Sequence, residues 1–266
     1  MGLLDVLGPV MVGPSSSHTA GACRLALLAR HARLTPPSRA ELTLHGSFAK
    51  TARGHGTELA LVAGLLGMMP DDPRLPEAHD HAAAAGLQVV FRTADLGDVH
   101  PNTVRIRTEG GPDGATEEVA LTGSSLGGGL VRVFDVDGFR VEFRGGLHTL
   151  LVRHHDQPGV IARVARVLAD DASNIATLHC ARKERGGEAM MSVEIDRRLS
   201  QPALDYLAHL PYVHWMRMLP EVLSGDPPPA GPHDDGPAPA RAGRIAGRDT
   251  GDGRDAPSAG GEEGAP

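Results

Sequence analysis

"LHTLLVRHHDQPGVIARVARVLADDASNIATLHCARKE" (Leu147–Glu184) changes its hydrophobic period twice. LHTLLVRHHD alternates like a strand. QPGVIARVARVLADDA then sets Val160, Ile161, Val164, Val167 and Leu168 at helical spacing, with Pro158 suited to the first turn. NIATLHCARKE returns to a strand, and beyond the turn RGG the segment EAMMSVEID is another. QPALDYLAHL reads as a short helix and VHWMRML as a final strand. The order βαββαβ over residues 147–220 closes as a four-stranded antiparallel sheet with two helices on one face.

That ferredoxin-like order, carried by HHDQPGVIARVARVLADDASNIATL and GGEAMMSVEID, resembles the ACT domain, a regulatory module that commonly binds amino acids. The turn from Asp156 to Gly159 precedes a helix whose exposed N–H groups suit a carboxylate. The resemblance implies a ligand at Asp156, Gln157, Pro158, Gly159 and Asn174, often across a dimer interface, and an oligomer formed through this domain. The plainer reading is that Pro158 and Gly159 only make a tight strand-to-helix connection.

Upstream, residues 1–145 mix their signals. Helix is expected after Thr19 and from Thr57 through ELALVAGLLGMM; strands are expected at ELTLHGSF, LQVVFR, TVRIRTE and LVRVFDVDGFRVEF. The last contains Asp137-Gly138, a strong hairpin turn. The pattern fits an α+β domain better than regular alternation of strand and helix. Downstream, residues 224–266 are dominated by Gly, Pro, Ala and charge, with Ile245 the only large aliphatic, so a disordered tail is expected.

The whole chain has 266 residues and a formal charge of -7, but the tail holds eight acidic and four basic residues, leaving about -3 for the rest. That balance argues against a nucleic-acid surface. No apolar run reaches the roughly 18 residues of a membrane span, and no basic segment with an apolar stretch opens the chain. A soluble cytoplasmic protein with no membrane partner is therefore expected. Only two cysteines occur, Cys23 and Cys180, far apart in sequence, which argues against a disulfide framework and a cysteine zinc site.

The chemistry concentrates in GPSSSHTAGACRLALLAR, from Gly13. Gly13-Pro14 turns the chain, Ser15, Ser16, Ser17 and Thr19 offer hydroxyls, and the following helix offers N–H groups, with His18 beside them. Capping alone would explain one Ser or Thr; three serines with His and Thr exceed it. HGSFAKTARGHGTELALVAGLLG repeats the theme with Ser47, Lys50, Thr51, His55 and Thr57. A neutral imidazole in such a place moves protons near physiological pH, although a lone histidine is more often structural. HPNTVRI adds His100 and Asn102. TGSSLGGGLV, read as a loop, adds Ser124, Ser125 and the backbone of Gly127, Gly128 and Gly129. The glycine run matches neither the phosphate-loop nor the dinucleotide pattern.

GPSSSHTAGA, GSFAKTARGHGTELALVAGLLG, HPNTV and GSSLGGG, followed by the ACT-like segment, resemble the iron-sulfur-dependent L-serine dehydratase, specifically its beta chain, over nearly all of residues 1–220. One departure is Glu58, where the family more usually has Asp. The resemblance implies an N-terminal domain similar to the substrate-binding regulatory domain of some phosphoglycerate dehydrogenases. It implies an ammonia-lyase that deaminates L-serine to pyruvate and ammonia with a 4Fe-4S cluster and no pyridoxal phosphate. Two cysteines cannot hold such a cluster, so an alpha chain would supply its ligands and no metal site is expected in this chain. His18 and His55 would be the proton-transfer residues. Ser15, Ser16, Ser17, Thr19, Asn102 and Gly127–Gly129 would bind substrate, and Glu58 would orient His55 or, as its place in the first turn favours, cap the dipole of its helix. The rival reading is a non-catalytic amino-acid-sensing module that regulates another enzyme.

Overall fold

The computed structural model describes residues 10–51, 54, 56–111 and 117–223. A one-turn π-helix, Ser16–Ala20, runs straight into α1 (Gly21–His31). After β1 (Arg39–Leu44) come α2 (Gly46–Thr51), α3 (Thr57–Leu65), a 3-10 turn at Leu75–Glu77 and α4 (Ala78–Ala84). Strands β2 (Gln88–Thr93), β3 (Thr103–Gly110), β4 (Glu117–Gly127), β5 (Leu130–Val136) and β6 (Phe139–Phe143) complete one sheet, in the order β2-β1-β3-β4-β5-β6. β1 and β2 pair in parallel and the remaining neighbours are antiparallel.

Period two explains this sheet's two faces. Leu42 and Leu44 of β1, Val104 and Ile106 of β3, Val119 and Leu121 of β4, and Val131 and Val133 of β5 are buried with α1 and α3 in one core. The other face is laced with exposed pairs, among them Arg92–Glu41, Arg39–Glu109 and Arg132–Glu142, which keep it solvated and add little stability. Three glycines set how closely the helices approach. A Cβ on Gly64 of α3 would overlap the Cys23 carbonyl oxygen of α1. One on Gly21 would overlap the Ser125 hydroxyl, and one on Gly123 of β4 would lie 2.6 Å from Leu25 Cδ2.

Two segments depart from the pattern expected of them. ELTLHGSF is strand only to Leu44: Gly46 takes a left-handed φ of 54° and the chain turns into α2, whose Ser47 and Phe48 N–H groups donate to the Pro101 carbonyl at 2.8 and 3.4 Å. Ser124 and Ser125 belong to strand β4, where Val119, Leu121, Gly123 and Ser125 form its inward row. Asp137 and Gly138 have positive φ and make the expected tight turn between β5 and β6.

The second sheet follows the βαββαβ order: β7 (His148–His155), α5 (Val160–Asp170), β8 (Ile175–Arg182), β9 (Glu188–Ile195), α6 (Gln201–Ala208) and β10 (Val213–Leu219). Its order is β10-β7-β9-β8, all antiparallel, with Leu150 opposite Val193 and Val152 opposite Met191. Val160, Val164 and Leu168 of α5 and Leu204 and Leu207 of α6 cover one face. The opposite face gives Leu151, Met190 and Leu219 to the first core. Polar side chains of β9 close the open edge of β6: the Glu142 N–H donates to Ser192 Oγ at 3.2 Å and the Arg144 N–H to Glu194 Oε1 at 2.9 Å. The buried Arg33 guanidinium donates to the carbonyls of Thr35, Thr108, Gly110 and Glu117, and the Glu117 carboxylate meets Arg217 of β10. Among the described residues no helix is long and apolar enough to cross a membrane.

Gly64→Val places its side chain against α1 backbone that cannot yield, and is expected to lower stability by about 3 kcal/mol in chemical denaturation. His31, at the end of α1, has a buried Nε2 with no hydrogen-bond partner among the described residues; burial, then Arg30 and Arg198, lower its pKa to about 4. Between about pH 6.5 and 4 the unfolded chain therefore binds the extra proton, so stability falls as pH falls through that window, by about 3 kcal/mol from this group. His31→Gln is expected to flatten that part of the stability–pH curve; an unchanged slope would contradict the assignment.

Candidate functional site

The site is built where the start of the π-helix, the start of α2 and the adjoining ends of β3 and β4 meet. Gly13, with φ of 151°, lets the chain pass Thr19: a Cβ there would sit 2.5 Å from the Thr19 hydroxyl. Ser15 caps the helix, its hydroxyl accepting from the His18 N–H at 3.3 Å and its carbonyl from the Thr19 N–H at 2.8 Å. The wider π turn places the His18 ring across the helix start. Its Nδ1 lies 3.1 Å from Ser17 Oγ and 3.4 Å from Ser15 Oγ, while its Nε2 lies 3.2 Å from Ser47 Oγ. The ring also packs edge-on against buried Phe48, with centroids 5.4 Å apart.

Other parts of the sequence reach the same place through backbone. The Pro101 carbonyl accepts from the first N–H groups of α2 and anchors the start of that helix. The Asn102 carbonyl accepts from the Ser125 N–H at 2.9 Å, and Thr103 Oγ1 lies 2.6 Å from Ser124 Oγ. Ser125 Oγ, beside Gly21, and Thr57 Oγ1, at the start of α3, are buried without a hydrogen-bond partner among the described residues. Burying a hydroxyl unpaired costs about 1–3 kcal/mol, which makes both worth noting beside a candidate binding site.

The structure thus brings Ser15, Ser17 and His18 together with Ser47 and Phe48, and packs the Asn102 backbone against Ser125. Ser16 is half-buried in the same π turn and Thr19 is buried behind it. Gly127, Gly128 and Gly129, all with positive φ, form the β4–β5 turn, and the Gly129 carbonyl accepts from buried Arg24 at 2.7 Å. His55 lies outside the described residues, as does the Gly/Pro-rich tail. Glu58 stands in the first turn of α3, after the left-handed Gly56. Ser47, expected in the second polar stretch, is the partner of His18 across 29 residues, a pairing the sequence does not show.

In the ACT-like part, Asp156 accepts from Arg182 at 3.0 Å and from the Gly186 N–H at 3.1 Å, and these bonds hold its carboxyl below the usual range. Gln157, Pro158 and Gly159 are exposed, with Gly159 at φ 90° before α5. Asn174 donates to Asp196 at 3.2 Å, at the opposite end of β8 from Arg182. Within one chain, then, the five residues expected to hold a regulatory ligand fall into two places.

The two cysteines do not suit an iron-sulfur cluster. Cys23 is buried in α1, its thiol donates to the Met68 carbonyl at 3.2 Å, and burial pushes it far up. Cys180 lies in β8, is 3.8 Å from His154 Nε2, and is also raised by burial. No group of three or more His, Cys, Asp or Glu arranged to hold a metal occurs among the described residues.

The fold and site define an α+β domain with a polar histidine-bearing helix start, followed by an ACT-like βαββαβ domain. Comparison with known proteins gives the family. Residues 4–87 match the family described as serine dehydratase beta chain, and residues 150–214 match the AHAS small subunit-like ACT domain. The probable L-serine dehydratase, beta chain, of Bacillus subtilis (strain 168) is 41% identical over 211 residues, 79% of this chain and 94% of that protein. The L-serine dehydratase, beta chain, of Peptoniphilus asaccharolyticus is 43% identical over 198 residues, 74% and 88% of the two chains. A D-3-phosphoglycerate dehydrogenase of Bacillus subtilis is 36% identical over 88 residues, 33% of this chain and 17% of that protein. The chain belongs to the L-serine dehydratase beta chain family.

In the folded chain Cys23 is expected to resist a thiol reagent at pH 8 and to react within the mixing time after unfolding. Mass-spectrometric labelling that finds Cys23 modified rapidly in the native protein would contradict its placement.

Proposed function

We propose that this chain is the beta subunit of an iron-sulfur-dependent L-serine dehydratase, a lyase that converts L-serine to pyruvate and ammonia at a site completed by a cluster-bearing alpha chain. The observation that carries the reading is His18, held at a helix start by Ser15, Ser17 and Ser47, in a chain of this family. The elimination breaks the Cα–H and Cβ–O bonds of serine and releases water; the enamine left behind tautomerises to the imine, which a water hydrolyses to pyruvate and ammonia. A neutral imidazole is suited to accept the α-proton. The helix start and its hydroxyls are suited to the substrate carboxylate, so Ser15, Ser16, Ser17 and Thr19 hold substrate, with Asn102 and the Gly127–Gly129 turn near it. His55 is the second candidate for proton transfer.

The cluster belongs to the partner on this reading, since neither Cys23 nor Cys180 is placed to ligate it, and no pyridoxal phosphate is used. The enzyme works in the cytoplasm. Residues 1–145 and 147–220 act as the two domains. β8 is an edge strand of the ACT-like sheet. An antiparallel pairing of two copies along β8 would bring the Asp156–Gly159 turn of one to the Asn174 of the other, closing the regulatory site that one chain leaves divided.

The test is co-expression with the alpha chain, anaerobic purification, and measurement of pyruvate formed from L-serine. Activity is expected from the pair, from neither chain alone, and at a rate reduced about 100-fold or more in a His18→Ala pair that still assembles. A fully active His18→Ala pair would remove His18 from the mechanism. Serine binding by this chain alone, with no activity in any cluster-loaded pair, would replace the enzyme by a sensor.

A further inference from the structure

We propose that Ser47 is a positioning residue that fixes the tautomer and ring orientation of His18. The inference rests on the reading above only for its catalytic consequence; the contact itself is independent of it. Ser15 and Ser17 belong to the same turn as His18 and move with it. Ser47 approaches from a different element, 29 residues on, at 3.2 Å from Nε2.

Ser47 is held in place from several sides. Its N–H donates to the Pro101 carbonyl at 2.8 Å, and its carbonyl accepts from Thr51 Oγ1 at 2.8 Å. The His45 N–H before it donates to the Thr103 carbonyl at 3.0 Å, tying the turn to β3. Gly46 is left-handed, and a Cβ there would lie 2.6 Å from the Pro101 carbonyl oxygen, so that turn is seated tightly on the 100–103 loop. Phe48, next in the chain, is fully buried and sets its ring against the edge of His18. The hydroxyl is therefore delivered by the scaffold.

Each hydroxyl has one proton to give and two lone pairs to accept with, and the proposed arrangement assigns each a direction. Ser15 Oγ accepts from the His18 N–H, which leaves its own proton to give to Ser17 Oγ, 3.3 Å away, or to Nδ1. Ser17 Oγ, 3.1 Å from Nδ1, can then donate its proton to the ring. With Ser17 as the donor to Nδ1, Nδ1 is the acceptor and Nε2 carries the hydrogen. That hydrogen points to Ser47 Oγ, which accepts it. In this arrangement the basic nitrogen faces the serine-rich helix start where a carboxylate would sit. When Nδ1 takes a proton, the charged ring keeps its Nε2–H bond to Ser47, and such a bond strengthens with the charge. Ser47 thus holds the ring still in both protonation states without touching substrate.

The test uses the full-length chain labelled with 15N-histidine, with the His18 ring signals identified by their loss in His18→Ala. Wild type and Ser47→Thr, which keeps the hydroxyl, are expected to show the Nε2–H tautomer at pH 8; Ser47→Ala is expected to show a mixture of tautomers. In the assembled enzyme Ser47→Ala is expected to lower kcat about 10- to 100-fold with little change in KM for L-serine, and Ser47→Thr to restore much of it. Ring signals in Ser47→Ala identical to wild type would overturn the inference whatever the activity. Changed ring signals together with a fully active His18→Ala enzyme would uphold the contact and overturn the reading of His18 as base.

Discussion

The close approach of α1 to β4 and α3 is the constraint on which the rest of the N-terminal structure depends. At Gly21, Gly64 and Gly123 a single added carbon would strike backbone or buried side-chain atoms. Without those carbons α1 lies deep against the sheet, its residues from Gly21 to Ala29 all buried. Depth at the helix body fixes where its start emerges: beside Ser125 on one side and Ser47 on the other. The histidine site is thus a consequence of helix packing. Its hydroxyls do not assemble by local turn chemistry alone.

A second dependency runs through the 100–103 loop. The Pro101 carbonyl anchors the start of α2, the Asn102 carbonyl anchors Ser125, and Thr103 bonds Ser124, so one short loop sets two neighbours of the site. The ACT-like sheet, in turn, is covered on both faces, by α5 and α6 on one and by the N-terminal core on the other. Ser192 and Glu194 of β9 bond the backbone of β6, and Arg217 of β10 meets Glu117 at the start of β4. Covering both faces leaves strand edges as the way for this sheet to extend.

Much of the fold is legible in the sequence because hydrophobic periods are long and clean there. The βαββαβ order from Leu147 is of this kind, as is the Asp137-Gly138 hairpin. Legibility fails where small polar residues take structural places. Gly123 and Ser125 continue the inward row begun by Val119 and Leu121, but as small residues they read as a loop. Gly46 and Ser47 read as the end of a strand because the carbonyl that starts α2 comes from Pro101, over fifty positions away. His18 and Ser47 each stand out in a polar stretch of the sequence, but their pairing does not, since only tertiary packing joins them. The division of the ACT-like ligand residues between the two ends of β8 likewise depends on strand direction, which the residue types alone do not show.

The central claim is that the helix start bearing His18 faces a site completed by another chain. Hydrogen–deuterium exchange, measured on this chain with and without the proposed alpha chain, tests it most directly. The account predicts slowed exchange in residues 13–20, 45–51 and 98–103 on assembly. Unchanged exchange in all three, with slowing confined to the charged face of the first sheet or to β8, would contradict it.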